Sequence, residues 1–111
     1  MMRLTLVSLC LATFAFTNAT VASDIKLGKK KARMCNVCHG KNGIATNPEA
    51  PNLAGESAVY IEKQLFAFRE GERQHRQMSI IAKGLKDDDI KNLSAWYAAM
   101  KVTVELPDLE E

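Results

Sequence analysis

Residues 35–39 read Cys-Asn-Val-Cys-His. Two thiols at this spacing, followed at once by an imidazole, constrain the chain more than any other feature. Such thiols can add across the two vinyl groups of one porphyrin, and the next residue then offers its imidazole to the iron. Other common uses of a Cys-x-x-Cys pair do not require the histidine. A redox dithiol needs alternating strands and helices around it, and the chain shows no such alternation. A zinc site needs four Cys or His ligands, usually as two pairs, and beyond the motif only Cys10 and His75 remain. The motif predicts one covalent haem c, attached through Cys35 and Cys38 with His39 on its iron.

The N-terminal segment agrees with that chemistry. Met1-Met2-Arg3 gives a positive start, Leu4 to Phe16 is largely apolar, and Thr20-Val21-Ala22-Ser23 supplies small residues for cleavage. This predicts a secretory signal peptide over residues 1–23, processed before Asp24 or one residue earlier. The apolar run falls short of the ~20 residues of a membrane span, so no membrane attachment is expected after cleavage. Cys10 would leave with this segment. It is not a lipidation site, because Leu9 stands where a small residue would be needed. In an oxidising compartment a bare cysteine pair tends to close as a disulfide, so haem attachment is the simpler account of Cys35 and Cys38. The expected location is the periplasm.

Residues 1–23 contain one basic residue, Arg3, and no acid, so their removal lowers the formal charge from +2 to +1. A nearly neutral chain lacks the strongly basic face that nucleic acid requires. No repeat or linker divides the remainder, which reads as one domain over 24–100 and an extension of undefined shape over 101–111. A chain this small buries modest apolar surface, and a haem would supply much of its core.

The pattern along this domain is helical. Ile25 to Met34 reads as a first helix, with Gly28 suited either to a close helix crossing or to a frayed helix start. Residues 41–52 carry the turn signals Asn42-Gly43, Asn47-Pro48 and Pro51-Asn52. Ser57 to Glu70 reads as an amphipathic helix with Ala58, Ile61, Leu65 and Phe68 on one face, stopped by Gly71. A polar loop over 72–77 leads into a short helical segment, Met78 to Lys83. The last helix opens on Asp87-Asp88-Asp89, where acids favour the positive helix end, and carries Ile90, Leu93, Tyr97 and Met100 as its apolar stripe.

The order of helix, Cys-x-x-Cys-His, Pro-Asn-Leu, helix, methionine loop and aromatic-bearing terminal helix resembles a class I cytochrome c. It is most similar to one half of the small bacterial di-haem periplasmic cytochromes. The resemblance covers Gly28 to Gly40, Ala50 to Gly55, Tyr60 to Leu65, Met78 to Ile90 and Leu93 to Tyr97. It implies an all-α fold of three main helices and loops wrapped around one covalently bound haem. It also implies His39 as the proximal iron ligand, the Pro51 carbonyl as acceptor for the His39 ring, and Met78 as the sixth ligand. His75 is a rival to Met78, Met34 is tied to the proximal side, and Met100 falls on the core stripe. Tyr60 and Gln64 match positions near the haem pocket, and Trp96 and Tyr97 match the helix crossing at Gly28. One departure is Lys86, which stands where the family often has a capping serine, leaving Asp87 to cap instead.

An iron closed by side chains on both faces has no vacant site for a substrate. The resemblance therefore implies a monomeric, non-enzymatic carrier of single electrons that meets redox donor and acceptor proteins transiently. Two alternatives stay open: a haem subunit of a larger dehydrogenase or oxidase, and a haem enzyme or gas sensor with a labile methionine ligand. The basic residues form two groups, Lys26 to Arg33 before the haem motif and Arg69 to Lys86 around the methionine segment. Either could steer an acidic partner.

Overall fold

Caps and apolar stripes set the helices of this chain. Asp24 opens α1 (Ile25–Lys31) by accepting the N–H groups of Lys26 and Leu27 at 2.8 and 3.1 Å, satisfying two donors that a helix start leaves free. In the computed structural model, which describes residues 23–109, α1 tightens into a 3-10 turn over Ala32–Met34. It does not run to Met34 as one α-helix. A short α2 (Asn36–His39) follows directly. Ser57 starts α3 (Ala58–Glu70) by accepting the Tyr60 N–H at 3.2 Å, and Gly71, at φ 82°, ends it. Then come α4 (Met78–Lys83) and α5 (Asp87–Ala98), and no strand occurs among the described residues. The predicted signal segment lies outside the described residues except for Ser23.

Most of the expected stripe of α5 forms the core, while Met100 falls beyond the end of the helix and packs against that core only partly buried. Ile90, Leu93 and Tyr97 are fully buried and cluster with Ala32, Ile61 and Leu85. Burying Ile90 or Leu93 alone contributes ~1.5–3 kcal/mol over leaving it exposed. α1 crosses α5 while α3 packs against both α5 and α4. The crossing depends on Gly28: a Cβ there would run into the Asn92 carbonyl oxygen and lie 2.8 Å from the Trp96 Cβ. Only a glycine lets the two backbones approach this closely.

The start of α5 departs from expectation. A cap residue needs extended backbone outside the helix, and that residue is Lys86 (φ −82°, ψ 164°), not Asp87. Asp89 completes the start by accepting the Lys86 N–H at 3.0 Å and meeting the Lys31 ammonium at 3.0 Å. Burial by itself would raise the Asp89 carboxyl, but the Lys86 N–H and the Lys31 charge outweigh it and hold the group below the usual carboxylate range. Asp87, inside the helix, accepts from the Arg69 guanidinium at 2.7 Å.

After Met100 the chain runs exposed through residue 109 with neither helix nor strand. No helix among the described residues is long and apolar enough to cross a membrane.

Candidate haem-attachment site

One helical turn assembles the motif. The His39 and Cys38 N–H groups both donate to the Cys35 carbonyl, at 2.9 and 3.3 Å. Residues three and four apart share a helix face, so both thiols and the imidazole lie on one side of the turn. Gly40 then reverses the chain at φ 77°, where a Cβ would collide with the Ile44 carbonyl. The following loop is held by backbone bonds. Thr46 and Asn47 donate to the Cys38 carbonyl at 3.1 and 3.2 Å, and Leu53 and Ala54 donate to the Gly43 carbonyl at 2.7 and 3.0 Å. The Asn52 side chain also accepts the Ala45 N–H at 2.8 Å.

This loop brings Pro51 to His39. The His39 Nδ1 lies 2.8 Å from the Pro51 carbonyl oxygen, and His39 is only 7% exposed. A carbonyl can only accept, so Nδ1 carries the proton. The neutral ring then keeps its lone pair on Nε2, the nitrogen left to bind a metal.

Cys35 and Cys38 are free, partly buried thiols. Burial pushes the Cys35 thiol up, with the Tyr97 hydroxyl and Lys31 working against that shift. The buried Tyr97 hydroxyl has no partner in hydrogen-bond geometry, and burial, followed by the neighbouring Cys35 thiol, raises the phenol well above its usual range. The Asn47 amide donates weakly to the Cys38 sulfur at 3.9 Å. No group of three or more Cys, His, Asp or Glu side chains capable of holding a metal ion occurs among the described residues. Two thiols and one oriented imidazole on a single turn fit a covalent haem and leave a zinc ion short of ligands.

Met78, half-buried, is the first residue of α4. Of its rivals, Met100 packs on the core and Met34 is 46% exposed beside Cys35. His75 has its Nδ1 turned to backbone, accepting the Gln77 and Met78 N–H groups at 3.2 and 3.3 Å. This role was not legible in the sequence, because histidine is not a usual helix cap. Gln64 accepts from Arg73 at 2.6 Å, and Tyr60 is half exposed.

A cleft of about 430 Å³ borders the motif at Asn36 and is lined by Lys26, Lys29, Lys30, Arg33, Lys41 and Trp96. The Lys29 ammonium sits 5.6 Å from the Trp96 ring centre. Among the described residues none of these five cations pairs with a carboxylate.

Comparison with known proteins agrees with this construction. The family model described as cytochrome c matches residues 25–101. Cytochrome c4 of Pseudomonas aeruginosa is 34% identical over 103 residues, covering 93% of this chain and 51% of that protein. Cytochrome c-554(548) of Halomonas halodenitrificans is 37% identical over 83 residues, covering 72% of this chain and 100% of that protein. The crystal structure of reduced recombinant cytochrome c4 from Pseudomonas stutzeri matches with a TM-score of 0.70 at 29% identity, over 78% of this chain and 50% of that one. The chain thus spans about half the length of cytochrome c4 and the whole length of cytochrome c-554(548). With its helices, its Cys35–His39 turn and these matches, the chain belongs to the cytochrome c family, electron-carrying class I proteins of all-α fold that bind haem c and its iron covalently.

Proposed function

We propose that this protein is a periplasmic carrier of single electrons, with Cys35 and Cys38 attaching the haem and with His39 and Met78 as its axial ligands. The hydrogen bond from the His39 Nδ1 to the Pro51 carbonyl carries the reading, because it fixes the ring tautomer and aims the remaining lone pair away from the loop. The bound haem supplies a one-electron ferric/ferrous couple, which a thioether ligand shifts toward the reduced state. The chain's own part is to hold, orient and shield. The Cys35–His39 turn fixes three attachment points, the backbone bonds of residues 43–54 keep Pro51 in place, and the Ile61, Leu85 and Tyr97 cluster keeps water from the core side.

Partner encounters use the basic cleft. Its five cations have no carboxylate partner among the described residues, and the cleft they line borders the Cys35–His39 turn at Asn36. Charge at such a rim governs the encounter rate more than the lifetime of the complex. This favours brief meetings with an acidic donor and acceptor by a monomer. The segment after Met100 supports a second reading, a haem subunit of a larger oxidoreductase, since Val104, Leu106 and Leu109 are all more than 70% exposed.

The ligand assignment is tested on the ferric protein. Met78→Ala should abolish the sulfur-to-iron charge-transfer band at the red end of the visible spectrum and lower the midpoint potential. A band that survives Met78→Ala and disappears in His75→Ala would reverse the choice of ligand.

A further inference from the structure

We propose that His75 is a positioning residue for the sixth ligand: its imidazole caps the helix that opens at Met78 and so sets how firmly the Met78 thioether is held. The inference rests on the reading of Met78 as that ligand. It begins from a shortage. α4 has only six residues, and Gln77, which precedes it, makes no side-chain cap bond. So short a helix does not sustain itself, and its leading N–H groups need acceptors from elsewhere.

His75 supplies them. Its Nδ1 accepts the N–H groups of Gln77 and Met78, two and three residues ahead, at 3.2 and 3.3 Å. The return bonds are also present. The His75 N–H donates to the Ser79 hydroxyl at 2.9 Å, and the Ser79 N–H donates to the His75 carbonyl at 3.0 Å. Accepting two and three residues ahead is the arrangement of a side-chain N-cap, and the Ser79 hydroxyl returns a bond to the His75 N–H from four residues ahead, one further than in a capping box. Here an imidazole replaces the usual hydroxyl or carboxylate.

The cap is anchored to α3. The His75 ring stands edge-on to the Phe68 ring, with centres 6.5 Å apart and planes at 70°. Phe68 is itself buried. The Arg73 guanidinium lies 4.6 Å from the Phe68 ring centre and donates to the Gln64 side chain at 2.6 Å. The ring that holds the Met78 N–H is therefore tied to the long helix of the domain. Without it, the Gln77 and Met78 N–H groups turn to solvent, the first turn of α4 frays, and Met78 is presented from a looser backbone.

The test measures how fast free imidazole binds the ferric holoprotein, a rate set by release of the native sixth ligand, together with amide exchange at Gln77 and Met78. Losing a side-chain cap should speed both by about fivefold in His75→Ala. His75→Asn should restore most of the wild-type behaviour, because the asparagine carbonyl oxygen also caps. Met78→Ala should bind imidazole fastest of all. If the wild type binds as fast as Met78→Ala, the ligand reading fails and takes the proposal with it. If the wild type is slow but His75→Ala is unchanged, or if His75→Asn behaves like His75→Ala, the proposal alone is overturned.

Discussion

The two segments on either side of α3, which we assign to the two faces of the haem, are built by different means. The proximal segment, from Cys35 to Gly55, is fastened chiefly by backbone: carbonyls of Cys35, Cys38, Gly40 and Gly43 accept main-chain N–H groups, and Pro51 offers its carbonyl to His39. The distal segment, from Gly71 to Lys86, leans on side chains. Beside its backbone turns, His75, Ser79, Arg73 and Gln64 bond through their side chains, the His75 and Arg73 side chains meet Phe68, and Arg69 reaches the Leu85 carbonyl at 3.2 Å and Asp87 at 2.7 Å. A backbone-fastened loop tolerates most side-chain changes but not a change in chain path. A side-chain-fastened loop can be loosened one residue at a time. In the proposed reading the fixed half carries the covalent attachment and the adjustable half carries the sixth ligand.

Two glycines give the hardest test of that contrast, since both have positive φ. Gly40→Val adds a clash with the Ile44 carbonyl to the left-handed strain, and should cost on the order of 3 kcal/mol or prevent folding. Gly71→Ala meets nothing within 4 Å and should cost about 1 kcal/mol from conformation alone. Thermal unfolding of both variants measures the difference. Equal losses would break the comparison.

The basic residues divide along the same line. Lys29 and Arg33 border the open cleft, whereas Arg69 is bonded to Glu70, Asp87 and the Leu85 carbonyl, and Arg73 is committed to Gln64 and Phe68. Reversing Lys29 and Arg33 to Glu should slow electron transfer with an acidic partner by roughly tenfold at low salt. The effect should fade as salt screens charges beyond ~8 Å. Arg69→Glu should instead lower the melting temperature. A rate that responds to Arg69 and not to the cleft would exchange the two roles.

The smallest effect belongs to Asp89, which joins the halves by accepting from Lys86 and meeting Lys31. Its folded pKa is lowered, so its contribution is complete above the ordinary carboxylate value of ~3.9 and is lost as pH falls through the folded value. Asp89→Asn keeps an acceptor for the Lys86 N–H but loses the charge. It should cost about 0.5 kcal/mol at pH 7, and the difference should shrink and then vanish as the pH falls through the folded value. Denaturant melts at pH 7 and in progressively more acid solution decide it. A gap that persists in acid would assign the effect to geometry.

The proximal half was the more legible in sequence, because its chemistry is written in residue identity. Cys35, Cys38 and His39 could be read directly, and family resemblance pointed to Pro51. The stripe of α5 and the stop at Gly71 were equally plain, since hydrophobic period and glycine report backbone directly. The distal half was read less well. His75 entered as a rival ligand because its identity shows only that it can bind a metal. Its actual bonds depend on how residues 72–77 curl back over Phe68. Lys86 as the cap residue of α5 was missed because its extended backbone serves there, and its side chain makes no cap bond.

The most direct measurement is the proton spectrum of the ferrous holoprotein. A methionine methyl bound to the iron lies over the porphyrin and is moved far upfield by its ring current. The account predicts one such methyl resonance in the wild type, present in His75→Ala and absent in Met78→Ala. A resonance that persists in Met78→Ala, or a wild type that never shows one, would contradict ligation by Met78.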